Sequence, residues 1–136
     1  MRAATTRAVR LRAAYRCEYC LLPEGIVPLP FAVEHIVAKQ HRGSDALGNL
    51  AWACSHCNLH KGPNISGIDY AISRVRPVRL FHPRLHVRRY HFKCSGPLLV
   101  GRTAIGRVTI YVLNMNAEVQ LELRRLLIDE GIFPPT

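Results

Sequence analysis

The sequence predicts a small α+β fold, and three observations carry that prediction. A run rich in β-branched and aromatic residues, 31–37, and a second short apolar run, 50–53, are separated by a polar, glycine-containing loop. Two CxxC pairs, Cys17 with Cys20 and Cys54 with Cys57, bracket those runs. Beyond them the C-terminal part carries apolar residues at helical spacing. A chain of 136 residues suits one domain, 1–136, with its core at 15–62 and a basic loop and C-terminal helical extension at 63–136.

Each element has a local reason. Residues 6–16 lack Gly and Pro and contain three Ala, so a short basic helix is expected with Thr5 or Thr6 as its cap. Pro23, Gly25, Pro28 and Pro30 deny regular structure to 21–30. A strand over 31–37 is expected to end near His35, a loop fills 39–48, and a second strand covers 50–53. A helix then starts at the second cysteine pair and stops at Gly62-Pro63. Residues 62–69 read as a loop and the stretch with Pro77 and Pro83 as irregular, with one more strand at 98–100. Thr103 is a candidate cap for a helix whose Ile105, Val108, Val112 and Leu113 share a face. Asn114 or Asn116 ends it and starts another, in which Val119, Leu123, Leu126 and Leu127 form a core stripe and Gly131 stands at the C-cap.

Charge points to a polyanionic partner. The formal net charge is +10, with 16 Arg against 3 Lys; residues 1–16 hold five Arg and no acid, and 70–117 hold eight Arg without Asp or Glu. The guanidinium fork suits phosphate oxygens, so nucleic acid is the partner this balance favours. Apolar stretches are far shorter than the ~20 residues a membrane span needs, and the basic start has no apolar core behind it. The expectation is a soluble cytoplasmic protein with no membrane partner.

In a reducing cytosol the two CxxC pairs read as ligands of a structural Zn2+ rather than as disulfides, with a redox pair or an iron site as the alternatives. Cys94, left over, is expected to be a small buried apolar side chain.

Cys17-x-x-Cys20, Glu34-His35-Ile36, Gly43-Ser44-Asp45, Asn49-Leu50 and Cys54-x-x-Cys57-Asn58 followed by Lys61-Gly62 together resemble the HNH endonuclease family in its form with two zinc-binding cysteine pairs. Leu80-Phe81-His82-Pro83-Arg84, His91-Phe92 and Ile132-Phe133-Pro134-Pro135 further resemble small stand-alone bacterial members. The resemblance implies a ββα-metal core around one catalytic divalent cation, Mg2+ or Mn2+ or another. It implies His35 as general base, Glu34 and Asn58 as metal ligands, and Asn49 as the residue that fixes the loop and so orients His35. Asn58 stands where many members have His. The implied substrate is DNA ahead of RNA, with water attacking phosphorus and the 3′ oxygen leaving.

The residue chemistry agrees with that reading. Imidazole exchanges protons near neutral pH, and a hard cation held by few protein oxygens keeps positions open for phosphate and water. Neighbouring strand residues point to opposite faces, so Glu34 and His35 share a site only where the strand ends, twists or bulges. His56 and His60 should face away from Asn58 on the helix, His60 and Lys61 toward solvent or phosphate, and His41 is a secondary ligand candidate. His82, Arg84 and His91 stay open between packing, DNA contact and the site. Two other functions compete: a zinc-stabilised nucleic-acid-binding protein without catalysis, and a zinc domain whose basic surface binds an acidic protein. The oligomeric expectation is a monomer or homodimer.

Overall fold

The computed structural model describes residues 1–135. The architecture is α+β, built from three antiparallel two-stranded sheets and helices packed against them. Helix α1 (Ala3–Arg12) is shifted from the expected 6–16, and Arg2 rather than Thr5 or Thr6 holds its N-cap position. It ends early because Ala14 (φ 53°) and Tyr15 (φ 61°) take left-handed backbone and swing the chain into the first cysteine pair.

The expected strand, loop, strand and helix all form. Strand β1 (Ala32–His35) pairs with β2 (Leu50–Ala53), Glu34 opposite Ala51 and His35 opposite Leu50. Helix α2 (Ser55–Lys61) follows β2 after one residue, with Cys54 at its N-cap position. Between the strands, turns of 3-10 helix at Lys39–His41 and Leu47–Asn49 tighten the loop. Leu50, Ala51, Trp52 and Ala53 are all buried, which places β2 in the centre of the core beside Val9 of α1 and the cysteines.

Past Gly62 the structure departs from the irregular reading. Strand β3 (Ser66–Ile68) pairs with β4 (Pro77–Arg79), a hairpin not expected from a segment so rich in Arg and Pro. After the short helix α3 (Arg88–His91), β5 (Phe92–Ser95) pairs with β6 (Leu98–Gly101), so the expected strand at 98–100 has a partner. Helix α4 (Ala104–Val112) is capped by the Thr103 hydroxyl, which accepts from Gly106 N at 3.1 Å. Asn114 (φ 48°) ends that segment, but Asn116 caps nothing: its amide pairs with both backbone groups of Leu99, at 3.0 and 2.8 Å.

Helix α5 (Glu118–Asp129) has Ala117 at its N-cap position. It closes in a Schellman turn, Gly131 (φ 74°) donating to Ile128 and Ile132 to Leu127. Its expected stripe is only half right. Leu127 is buried and Leu123 partly so, whereas Val119 and Leu126 are exposed, because Gln120 and Arg124 take the buried positions. Arg124 earns its place through hydrogen bonds to the carbonyls of Pro97 (2.5 Å) and Met115 (2.8 Å) and to Asn116 Oδ1 (2.8 Å). Cys94 is also corrected: it is exposed, because only Phe92 of β5 turns into the core. No helix among the described residues is long and apolar enough to cross a membrane.

Candidate active site and cysteine cluster

The four cysteines converge. All four sulfur atoms lie within 4.8 Å of one another, all are buried, and Cys20 Sγ is 3.7 Å from Cys54 Sγ. Tetrahedral zinc with bonds of about 2.3 Å requires sulfurs roughly 3.8 Å apart, so the cluster has the size of that ion. Backbone amides support it, Cys20 N donating to Cys17 Sγ (3.5 Å) and Cys57 N to Cys54 Sγ (3.4 Å). Once deprotonated, four buried thiolates suit a dication electrostatically. The clustered sulfurs hold protons unequally, the Cys17 thiol lying well below the usual range and those of Cys20 and Cys57 well above it, chiefly through their bonds to the Cys17 sulfur.

The cluster also positions the next site. Tyr19 lies inside the first CxxC, and its buried hydroxyl donates to Glu34 Oε2 at 2.7 Å. Glu34 is 4% exposed, and its Oε1 forms an ion pair with the ammonium of Lys61, itself 1% exposed. Burial pushes the Glu34 carboxyl above its ordinary value, against the opposing pull of Lys61 and Tyr19. Lys61 additionally donates to the carbonyls of His35 (3.2 Å) and Ile36 (2.9 Å). The expectation that Lys61 faces solvent or phosphate is therefore overturned: its stem runs inward from the last turn of α2 because a buried carboxylate and two strand-end carbonyls need a donor there.

His35 is the last residue of β1, and its pairing is regular, without a bulge. Alternation along the strand sends Glu34 inward and leaves His35 partly exposed. The His35 Nε2–H donates to Asp45 Oδ1 at 2.7 Å, and Lys39 holds the other carboxylate oxygen at 3.0 Å. Because a carboxylate only accepts, this bond fixes the tautomer and leaves Nδ1 as the free acceptor. Those two donors hold the Asp45 carboxyl below its usual range.

Asn49 fixes the loop. Its Oδ1 accepts from Val37 N (2.8 Å), and its Nδ2 donates to the carbonyls of Val37 (2.9 Å) and Ser44 (2.8 Å). The start and end of the Asp45-bearing loop are thereby stapled together. Gly43 makes the staple possible, since a Cβ there would collide with the Val37 carbonyl and come within 2.9 Å of Asn49 Nδ2.

Glu34, His35 and Asn58 line one open cleft of about 360 Å³ with Lys39, Gln40, Gly62 and Pro63. Asn58 is exposed at the middle of α2. A carboxylate and an amide oxygen beside a cleft are donor types that suit a hard cation, and both Glu34 oxygens are already engaged, Oε1 by the Lys61 ammonium and Oε2 by the Tyr19 hydroxyl. A divalent ion held here by Glu34 and Asn58 would have to share the Glu34 carboxylate with Lys61.

The other histidines lie elsewhere. His41 is exposed and does not line the cleft, and His60 is exposed. His56 Nε2 meets the Asn114 carbonyl at 2.8 Å, tying α2 to the turn before α5. The open residues of the C-terminal motif are packing groups. His82 Nδ1 accepts from Arg84 N (3.1 Å), Arg84 pairs with Glu18, and His91 Nδ1 meets the Thr103 hydroxyl at 2.6 Å. Arginine is likewise spent internally: Arg10 on Glu24, Arg12 on the carbonyls of Leu47 and Leu50, and Arg107 on Asp69.

Sequence reasoning missed Tyr19 and the buried role of Lys61. Tyr19 could be suspected from its place between two ligand cysteines, which forces an aromatic into the interior. Nothing in the spacing told that Lys61 turns inward.

Fold and site together define a cysteine-clipped ββα unit that presents a histidine, a carboxylate and an amide to one cleft. Residues 17–64 match the HNH endonuclease family model, so that segment is similar to an HNH endonuclease domain. No curated protein and no solved structure matches the chain.

Proposed function

We propose that the protein is an endonuclease that hydrolyses phosphodiester bonds in DNA, with one divalent cation at the cleft and zinc in the cysteine cluster. The observation that carries the reading is the Asp45–His35 pair at 2.7 Å on the rim of the cleft that Glu34 and Asn58 also line. Asp45 holds the imidazole so that Nδ1 takes a proton from water as the oxygen attacks phosphorus. The phosphorus bond to the 3′ oxygen breaks, and that oxygen takes up a proton, leaving 5′-phosphate and 3′-hydroxyl ends. Glu34 and Asn58 would hold Mg2+ or Mn2+, which supplies charge neutralisation at the phosphate when bound. Asn49 acts through the loop and touches no substrate.

The core at 15–62 and the extension at 63–136 work as one unit, a reading supported by the Arg84–Glu18 pair and the bond from His56 to Asn114. Cytoplasmic action suits a cluster that needs reduced sulfur. One cleft cuts one strand, so a monomer nicks and a double-strand break takes a homodimer or two events.

The Glu34–Lys61 pair favours one other reading, a zinc-stabilised nucleic-acid-binding protein in which the ammonium permanently satisfies the carboxylate. Supercoiled plasmid followed over time with Mg2+ or Mn2+ separates the two. The nuclease produces open circles before linear product, and EDTA stops it; binding without any product under every metal supports the alternative.

A further inference from the structure

We propose that the β3–β4 hairpin is a second contact surface for duplex DNA, gripping the backbone beside the phosphate in the cleft. The partner's identity rests on the nuclease reading; the surface itself stands on its own geometry. The hairpin is firmly seated below. A Cβ on Gly67 would meet Val108 Cγ2 at 2.7 Å and Val112 Cγ2 at 2.8 Å, so backbone lies directly on α4. Phe81 N donates to the Thr109 hydroxyl at 2.8 Å just after β4, and Arg107 binds Asp69 at 2.9 and 3.1 Å where β3 ends.

Above, everything is unspent. Arg74, Arg76 and Arg79 are exposed, and among the described residues their guanidinium groups have no carboxylate or carbonyl partner; Arg74 lies over the Tyr70 ring, 5.2 Å from its centre. Asp69, the acid next to the hairpin tip, is consumed by Arg107, and no Asp or Glu occurs again until Glu118. On the same loop stand Tyr70, Ile72 and Val75, exposed by 72, 61 and 81%, with Val75 between Arg74 and Arg76. Exposed apolar side chains next to arginines free of acidic partners fit a DNA groove, where arginine meets phosphates and apolar tips press on sugars and base edges. A hairpin seated this tightly spends little conformational entropy on binding.

Its distance from the cleft is bounded by the chain. Pro63 lines the cleft, Ser66 follows three residues later, and Arg79 is the cross-strand partner of Ser66. Three residues span at most about 11 Å and a cross-strand step about 5 Å, which keeps the Arg79 backbone within roughly 16 Å of Pro63. That is about five base-pair rises, within one continuous footprint.

The test is salt-dependent binding of a fluorescent DNA duplex with no Mg2+ or Mn2+ added and no chelator present, which needs no catalysis. The variant is Arg74→Gln/Arg76→Gln/Arg79→Gln in the zinc-loaded full chain. Three lost phosphate contacts should reduce the slope of log affinity against log salt by about 2.7, with an unchanged melting temperature. Ile72→Ser/Val75→Ser should weaken binding while leaving the slope unchanged. An unchanged slope in the arginine variant overturns the proposal, as does an RNA duplex that binds more tightly than DNA and loses that preference in this variant. Wild-type cleavage of plasmid with an unchanged slope would sink the hairpin alone, and a reduced slope without any cleavage would sink the nuclease alone.

Discussion

The ammonium of Lys61 is buried against the carboxylate of Glu34 and bonds the carbonyls of His35 and Ile36, so one side chain neutralises the candidate metal ligand and pins the backbone of the candidate base. Lys61→Met would leave a buried carboxylate without its counter-ion. A loss of about 3–5 kcal/mol is expected in urea unfolding. A loss under 1 kcal/mol would show that the carboxylate finds water instead.

Tyr19 joins the two sites, since the cysteine cluster delivers its hydroxyl to Glu34. Tyr19→Phe removes that donor without changing the ring. Stability should fall by about 1–3 kcal/mol and cleavage should weaken, with zinc content retained. Loss of zinc in this variant would contradict the division of labour.

How far such relationships were legible in advance depends on the interaction. The ββα core was readable because cysteine spacing sets its ends, and 50–53 forms a strand with the boundaries its side chains imply. The tie of Asn49 to the loop was implied by the resemblance, whereas the close approach at Gly43 to the Val37 carbonyl exists only in the folded loop. The β3–β4 hairpin was not readable, because Pro77 and Arg79 sit on an edge whose strand identity comes from packing Gly67 and Val78 on α4. Burial of Lys61 and Arg124 was hidden for a related reason: each is paid for by distant carbonyls that only the tertiary fold assembles. Composition therefore overstated the free positive surface.

Removal of zinc should unravel the core, because Cys17, Cys20, Cys54 and Cys57 join segments far apart in sequence. Protein stripped by a strong chelator under reducing conditions is expected to melt lower and less cooperatively, and one equivalent of Zn2+ should restore it. Metal analysis giving less than one zinc per chain in fully folded protein would refute this.

Stability should also show an acid limb from Asp69. Arg107 and the Ala71 amide hold its folded carboxyl below the usual value. A depressed carboxyl binds its proton less readily in the folded state, so its contribution is present above the unfolded value and is lost as pH falls through the folded one. Asp69→Asn should therefore be less stable than wild type at neutral pH, with the gap closing below about pH 4. Urea midpoints across pH test it, and a gap that does not change with pH would contradict the assignment.

The central claim is that a sulfur site holds the shape while a separate oxygen site and His35 do the chemistry. Plasmid cleavage by zinc-loaded protein, wild type and His35→Ala, with and without added Mg2+ or Mn2+, tests it most directly. The account predicts that wild type is silent until the second metal is added, and that His35→Ala keeps its zinc and its melting temperature but cleaves about 10²–10⁴-fold more slowly. Full cleavage by His35→Ala, or by wild type with no second metal, would contradict it.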